Sequence, residues 1–138
     1  MKSPKLYFFD TGLACWLLRV ASEEKLHVDR MVGNLFENLV VLEKLKEKYN
    51  SLLPADLYFY RTSNGVEVDL VEEQGMRLNA FEIKYSSTFA SDFTKGLIAF
   101  GNDYPDEIDK RTVIYNGEPI KSFQGCLVER FGYVRIND

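Results

Sequence analysis

Two acidic residues on neighbouring predicted strands have side chains that could hold a divalent cation, and a lysine lies beside one of them. Asp69 lies in a segment, Val66 to Glu72, in which apolar and polar residues alternate strictly. Glu82 and Lys84 share one face of the next such segment. If the two segments pair as a hairpin, Asp69 and Glu82 approach each other, because neighbouring strands lie about 4.8 Å apart. Two carboxylates at that distance repel unless a cation, a proton or a base offsets their charge.

A hard cation such as Mg²⁺ suits this arrangement, because it prefers oxygen ligands and keeps several waters; Mn²⁺ is an alternative. Asp69, Glu82 and the backbone carbonyl of Ile83 are the candidate ligands. Such a cation polarises a phosphodiester and lowers the pKa of a bound water. Lys84 would orient that water or stabilise the developing charge, and Glu37, on the flank of a predicted helix, could reach the site as an outer ligand. Each residue alone is typical of a solvated surface, so the prediction depends on their combination.

The elements that must position these residues follow from periodicity. Helical spacing of apolar residues predicts a long helix over Asp29 to Tyr49, which carries Glu37. Strands are predicted at Leu57 to Thr62, Val66 to Glu72 and Leu78 to Tyr85, with Asn64-Gly65 in the first turn. Ser91 can cap a helix that runs to about Phe100. The remaining predicted strands follow it: Thr112 to Tyr115, Cys126 to Val128 and Tyr133 to Ile136.

The N-terminal region predicts a short strand followed by helices. Leu6 to Phe9 is typical of a buried strand, and Asp10 can cap a helix from Thr11 to Arg19. Glu23 to Val28 indicates a connector or a short helical turn. The order predicts an α/β (α+β) fold with a central mixed sheet flanked by helices. We expect residues 1–28 to pack as a strand-helix segment on a domain at 29–138, in one compact unit.

Composition excludes several classes of protein. The 138 residues carry a net charge of −4, which counts against strong DNA binding by this domain alone. Because no apolar run approaches about 18 residues and no signal peptide is evident, we expect a cytoplasmic domain without a membrane span. His27 is the only histidine, which argues against a His-based zinc site or triad. Tyr58, Phe59 and Tyr60 could stack on bases, but packing in the sheet is the favoured interpretation.

Three short segments carry a resemblance to a known superfamily: Gly33–Glu37, Glu67–Asp69 and Phe81–Lys84. Through them the chain resembles the PD-(D/E)XK nucleases. The resemblance implies a restriction-endonuclease-like core, Mg²⁺ held by Asp69 and Glu82, assistance from Lys84 and a supporting role for Glu37.

A narrower likeness extends over nearly the whole chain. It is similar to a C-terminal domain of unknown function that follows an AAA-type ATPase module in many bacterial and archaeal proteins. The segments that carry this likeness are Lys5–Leu13, Phe59–Thr62, Gly65–Val71 and Glu82–Ser86. The phosphate-binding motif GxxxxGK[ST] of an ATPase does not occur in these 138 residues. We therefore expect a C-terminal fragment of a larger ATPase protein, with the ATPase module in the same or another chain, and a free-standing protein is the alternative.

Two functions remain open from the sequence. The first is a Mg²⁺-dependent endodeoxyribonuclease in which Glu37, Asp69, Glu82 and Lys84 form the site. The second is a catalytically silent nuclease-fold module that recognises nucleic acid or protein, or regulates an ATPase; the acidic net charge favours it. Self-association as a homodimer is a third alternative.

Overall fold

The computed structural model describes residues 4–28 and 31–132. The chain divides into two compact units, Met1–Leu53 and Pro54–Asp138. The domain boundary expected after residue 28 stays a prediction. The strand predicted at Tyr133 to Ile136 lies outside the described residues. Among the helices of the described ranges, none combines the length and the apolar character that crossing a membrane requires.

The first unit is helical. It contains α1 (Thr11–Leu17), α2 (Glu23–Val28) and α3 (Val32–Asn50). The predicted cap of α1 is confirmed, because Oδ1 of Asp10 accepts a hydrogen bond of 3.1 Å from the Leu13 amide. The first turn of a helix has amides without intrahelical acceptors, which is why an aspartate there determines where α1 begins.

The segment before α1 does not form the predicted strand, so that prediction was wrong. Its backbone is instead bound by one amide side chain of α3. Oδ1 of Asn38 accepts a hydrogen bond from the Phe8 amide at 2.6 Å, and Nδ2 of Asn38 donates to the Phe8 carbonyl at 3.0 Å. The asparagine thus replaces the pair of hydrogen bonds that a neighbouring strand would provide. Leu6 and Phe9 remain 81% and 69% exposed, so the apolar run that suggested a buried strand is largely on the surface.

The second unit is built on a mixed six-stranded sheet. Its strands are β1 (Leu57–Arg61), β2 (Glu67–Gln74), β3 (Arg77–Lys84), β4 (Ile108–Tyr115), β5 (Ile120–Phe123) and β6 (Cys126–Arg130). Their spatial order is β1-β2-β3-β4-β6-β5. The first three strands form an antiparallel meander, β3, β4 and β6 are parallel, and β5 is antiparallel to β6. The predicted mixed α/β class is confirmed, although β5 was not predicted.

One helix covers part of this sheet. A 3₁₀ turn (Ser91–Thr94) leads into α4 (Lys95–Asp103), so the helix starts later than the predicted Ser91 and has no side-chain cap. Leu97 and Phe100 of α4 are buried in the same apolar cluster as strand residues. The strand residues of this cluster are Val68, Val71, Ala80, Val113, Tyr115, Cys126 and Val128. Each large apolar side chain buried in this way stabilises the fold by about 1.5–3 kcal/mol.

Candidate functional site

Asp69 lies where the pairing of β2 with β3 stops. The paired residues run from Gln74 and Arg77 to Leu70 and Phe81. Asp69 precedes Leu70 on β2, just beyond the last of these pairs. Its Oδ2 atom accepts a hydrogen bond of 2.9 Å from the Ile83 amide. The carboxylate therefore takes the place of a backbone acceptor, and it lies close enough to Glu82 for its charge to raise the pKa of that residue. Asp69 is only 9% exposed, which is unusual for an aspartate.

Glu82 and Lys84 form an ion pair on β3. Nζ of Lys84 lies 2.7 Å from Oε1 of Glu82, and the two side chains are 39% and 12% exposed, respectively. The second oxygen of the glutamate, Oε2, is buried and has no hydrogen-bond donor among the described residues. Because buried carboxylate oxygens are normally satisfied, this atom is the feature of the cluster that calls for a cation or a proton.

The protonation of Glu82 reflects this environment. Burial raises the pKa of Glu82 to about 7, the charges of Asp69 and Glu67 raise it as well, and the contact with Lys84 opposes them. For Lys84, burial lowers the pKa, but the hydrogen bond and charge of Glu82, with Asp69 and Asp92, outweigh it and raise the pKa overall. A buried acid that titrates near neutral pH beside a charged lysine is typical of a functional site.

The cluster fits a cation that keeps most of its water. No group of three His, Cys, Asp or Glu side chains within residues 4–28 and 31–132 is arranged to hold a metal ion. The candidate acidic ligands on β2 and β3 are Asp69 and Glu82, with the Ile83 carbonyl as an additional oxygen; Glu67 of β2 is paired with Arg61. Mg²⁺ accepts such a site, because it is commonly bound by one or two carboxylates and several waters. The unsatisfied Oε2 of Glu82 supports this fit.

Gly96 is a residue of this site that the sequence interpretation missed. It lies in the first turn of α4, against the backbone of β2. A Cβ atom on Gly96 would lie 2.3 Å from the Glu67 carbonyl oxygen and 3.7 Å from Oε2 of Glu82. The absent side chain allows α4 to approach β2 and cover Glu82. The available signal was a glycine within a helical pattern, which often has a packing reason.

Glu37 lies in the first unit, on α3. Its Oε1 atom accepts a hydrogen bond from Nζ of Lys5 at 2.9 Å and another from the Tyr7 hydroxyl at 2.8 Å. Glu37 also lines a cavity of about 320 Å³ between the N-terminal segment, α1 and α3. The acid is thus engaged in attaching the N-terminal segment to α3. Its supporting role in a site with Asp69 and Glu82 stays a prediction.

The aromatic residues of β1 are candidates for stacking on nucleic-acid bases. Tyr60 instead packs against α4. Its ring meets Phe100 edge-on with a centroid distance of 4.8 Å, and its hydroxyl donates to Oδ2 of Asp103 at 3.0 Å. Arg61, at the end of β1, forms an ion pair of 2.9 Å with Glu67 across the strands. The packing interpretation of Tyr60 is therefore confirmed.

Together, the sheet, α4 and the acid–lysine cluster define a mixed α/β domain with a partly buried, charged site at one end of β2 and β3. Residues 32–131 match the family model described as DUF4143, a domain of unknown function, and the chain belongs to that family.

Curated relatives extend this similarity to longer proteins. An uncharacterized protein of Mycobacterium bovis and one of Mycobacterium tuberculosis are each 39% identical over 87 residues, which is 63% of this chain. The matched region is 19% of the length of each relative, so the match spans only about a fifth of those proteins. No solved structure matches the chain.

Proposed function

We propose that this domain is a Mg²⁺-dependent nuclease domain of the PD-(D/E)XK type, with a restriction-endonuclease-like core, that hydrolyses DNA phosphodiesters. The observation that carries the proposal is the buried, unsatisfied Oε2 atom of Glu82 beside the carboxylate of Asp69. Burying two carboxylates and a lysine costs free energy of folding, so this cluster is not explained by the stability of the core.

The proposed roles follow from the contacts of each residue. Asp69, Glu82 and the Ile83 carbonyl would hold the cation, which when bound polarises the phosphodiester and lowers the pKa of a water. Lys84 is the more exposed partner of the ion pair with Glu82, so its ammonium can turn towards a phosphate oxygen or the attacking water. Gly96 keeps α4 close to β2 and thereby keeps water access to Glu82 limited.

Calorimetric titration of Mn²⁺ with a plasmid-nicking assay on the same samples tests the proposal. The wild type should bind Mn²⁺ and nick DNA, and Asp69→Asn and Glu82→Gln should lose both properties. Glu118→Gln is the matched control, because Glu118 is an exposed acid that pairs with Arg130 away from the cluster. Equal binding by the wild type and by Asp69→Asn would refute the site.

The second candidate is a catalytically silent module for recognition or for regulation of an ATPase elsewhere in the protein. The net charge of −4 and the pairing of Lys84 with Glu82 favour it, since both oppose binding of a phosphate backbone. The length of the relatives leaves room for further modules in those proteins. Mn²⁺ binding without nicking, or a stable fold without Mn²⁺ binding, would support this alternative.

A further inference from the structure

Arg111 occupies a confined position on β4, away from the acid–lysine cluster. In the β3–β4 strand register it lies opposite Ala80 of β3. Its side chain extends between α4 and the β5–β6 turn. A Cβ atom on Gly101 of α4 would lie 2.9 Å from Nη1 of Arg111, and one on Gly125 of the turn would lie 3.1 Å from Nη2. Two glycines, one from each element, therefore leave the space that the guanidinium fills.

Arg111 is partly buried, and none of its five guanidinium N–H groups has an acceptor or an ion-pair partner within residues 4–28 and 31–132. Its nitrogens are not among the fully buried side-chain atoms that lack a partner, so they stay within reach of solvent. Other arginines of the same unit are paired: Arg61 with Glu67, Arg77 with Asp109, and Arg130 with Glu118. The chain has 21 acidic residues and 17 basic ones, so acidic side chains are numerous enough to pair with every arginine. A guanidinium that is held in place, reaches solvent and has no counter-ion among the described residues is available to bind an external anion.

Proximity to the end of α4 explains part of this arrangement. Gly101 lies two residues before the last residue of α4, Asp103, where the helix dipole favours a cation. The helix dipole explains why a positive charge is favourable at this position. It provides no hydrogen-bond acceptor for the N–H groups of the guanidinium.

The turn beside Arg111 presents further donors. Gln124 and Gly125 have φ values of 49° and 74°, and both residues are exposed. Neither backbone amide donates to another residue that the structure describes. The amide side chain of Gln124 contacts the buried Thr94 hydroxyl at 2.9 Å, and that hydroxyl also lies 3.1 Å from the Ser91 carbonyl, so the side chain is tied to the turn that precedes α4.

We propose that Arg111 and the Gln124–Gly125 turn form a binding site for a phosphate group. A guanidinium donates two parallel hydrogen bonds to a phosphate, and backbone amides in a turn bind the remaining oxygens of such an anion. The site is separate from the proposed metal site, because Gly96 lies beside Glu82 at the start of α4 whereas Gly101 lies near the end. The phosphate is either free or part of a nucleic-acid backbone.

The direct test follows the Nε–Hε resonance of Arg111 in the wild-type chain during titration with sodium phosphate. EDTA is present, and sodium chloride holds the ionic strength constant. Loss of the resonance in Arg111→Lys assigns it. We expect a saturable shift with phosphate, and at least a tenfold weaker phosphate affinity in Arg111→Gln, measured by calorimetry. Arg77→Gln, which removes an exposed and paired arginine, should bind phosphate like the wild type.

Two further arms distinguish the source of the phosphate and the independence of the site. A short single-stranded oligonucleotide at the same phosphate concentration should shift the Arg111 resonance if backbone phosphates are accepted; a shift by either ligand supports the site. Asp69→Asn should retain the shift, because this inference does not require the metal site. An equal shift with chloride alone, or no shift with either ligand, would overturn the proposal, and neither result depends on a variant that must fold.

Discussion

Glu82 and Lys84, two residues apart on β3, are joined by an ion pair of 2.7 Å that engages only one of the two carboxylate oxygens of Glu82. The other oxygen is buried without a donor from the described residues. The carboxylate is therefore half satisfied, and its remaining requirement can be met by a proton or by a cation. This competition makes the site testable through pH and through metal ions.

The stability of the metal-free domain should fall as the pH rises through the range in which Glu82 ionises. Burial raises its pKa from 4.5 to about 7, so the folded state holds the proton more tightly than the unfolded state. The stabilisation that comes from this tightly held proton is fully present below about pH 4.5, and it is lost as the pH rises through about 7. The free energy of unfolding should decrease by up to about 3 kcal/mol, since one pKa unit corresponds to about 1.4 kcal/mol.

Urea unfolding in EDTA at several pH values between 4.5 and 8 measures this decrease. Glu82→Gln, which cannot ionise, should show a flatter profile than the wild type, whereas Glu118→Gln should keep the wild-type slope. Identical profiles for wild type and Glu82→Gln would contradict the assignment of this titration to Glu82.

Divalent cations should reverse the effect of pH on the wild type. A cation at Asp69 and Glu82 favours the ionised carboxylates, so Mn²⁺ should raise the free energy of unfolding most above pH 7. A concentration of 100 times the Kd corresponds to about 2.7 kcal/mol. Asp69→Asn should show little stabilisation by Mn²⁺ in the same urea titration. Stabilisation of both proteins to the same extent would place the cation elsewhere.

Replacement of Lys84 should separate catalysis from folding. Lys84→Ala removes a partly exposed ion pair, which is worth about 1 kcal/mol or less once solvent screening is considered. If Lys84 acts on the water or the phosphate, the nicking rate should fall by about 100-fold or more. Nicking by Lys84→Ala at the wild-type rate would exclude Lys84 from the reaction. Lys110→Ala is a suitable control, because it removes an exposed lysine of β4.

A methyl group at Gly96 should destabilise the second unit. The new Cβ atom would lie 2.3 Å from the Glu67 carbonyl oxygen, so α4 must move away from β2. Overpacking of this kind costs about 1–3 kcal/mol. Gly33→Ala in α3 is the matched control, because its Cβ would meet no atom within 4 Å and alanine favours a helix. Denaturant unfolding of both variants should give shifts of opposite sign, and a neutral Gly96→Ala would contradict the close approach.

Loss of the Asn38 side chain should release the N-terminal segment. Asn38→Ala removes both hydrogen bonds to the Phe8 backbone, so the Phe8 amide should exchange with solvent faster. Asn34→Ala removes an exposed asparagine one turn earlier on α3, and it should leave the exchange rate of Phe8 unchanged. Hydrogen exchange measured by NMR distinguishes the two, and equal rates in both variants would show that Asn38 does not hold the segment.

Local patterns in the sequence were sufficient for several of the helices and strands. Alternation from Val66 onwards predicted β2 and β3 as strands. The alternation does not describe their burial, because Val68 to Val71 of β2 and Asn79 to Phe81 of β3 are all buried. Apolar residues at helical spacing determined α3, and Asp10 marked the start of α1. By contrast, β5 has four residues and its order depends on β6, so its own sequence carries little signal. Leu6 to Phe9 failed as a strand for the related reason that its hydrogen-bond partner is the Asn38 side chain.

The sequence alone determined which acids could meet, because strand pairing brings Asp69 towards Glu82 whatever surrounds them. Only the tertiary structure decided their electrostatic state. The approach of α4 through Gly96 buries Glu82, and the end of the β2–β3 pairing turns Asp69 to the Ile83 amide. The position of Arg111 between two glycines likewise depends on contacts distant in sequence. Desolvation by residues far apart along the chain is the largest cause of the raised pKa of Glu82; the charges of Asp69 and Glu67 raise it further, and the contact with Lys84 opposes them.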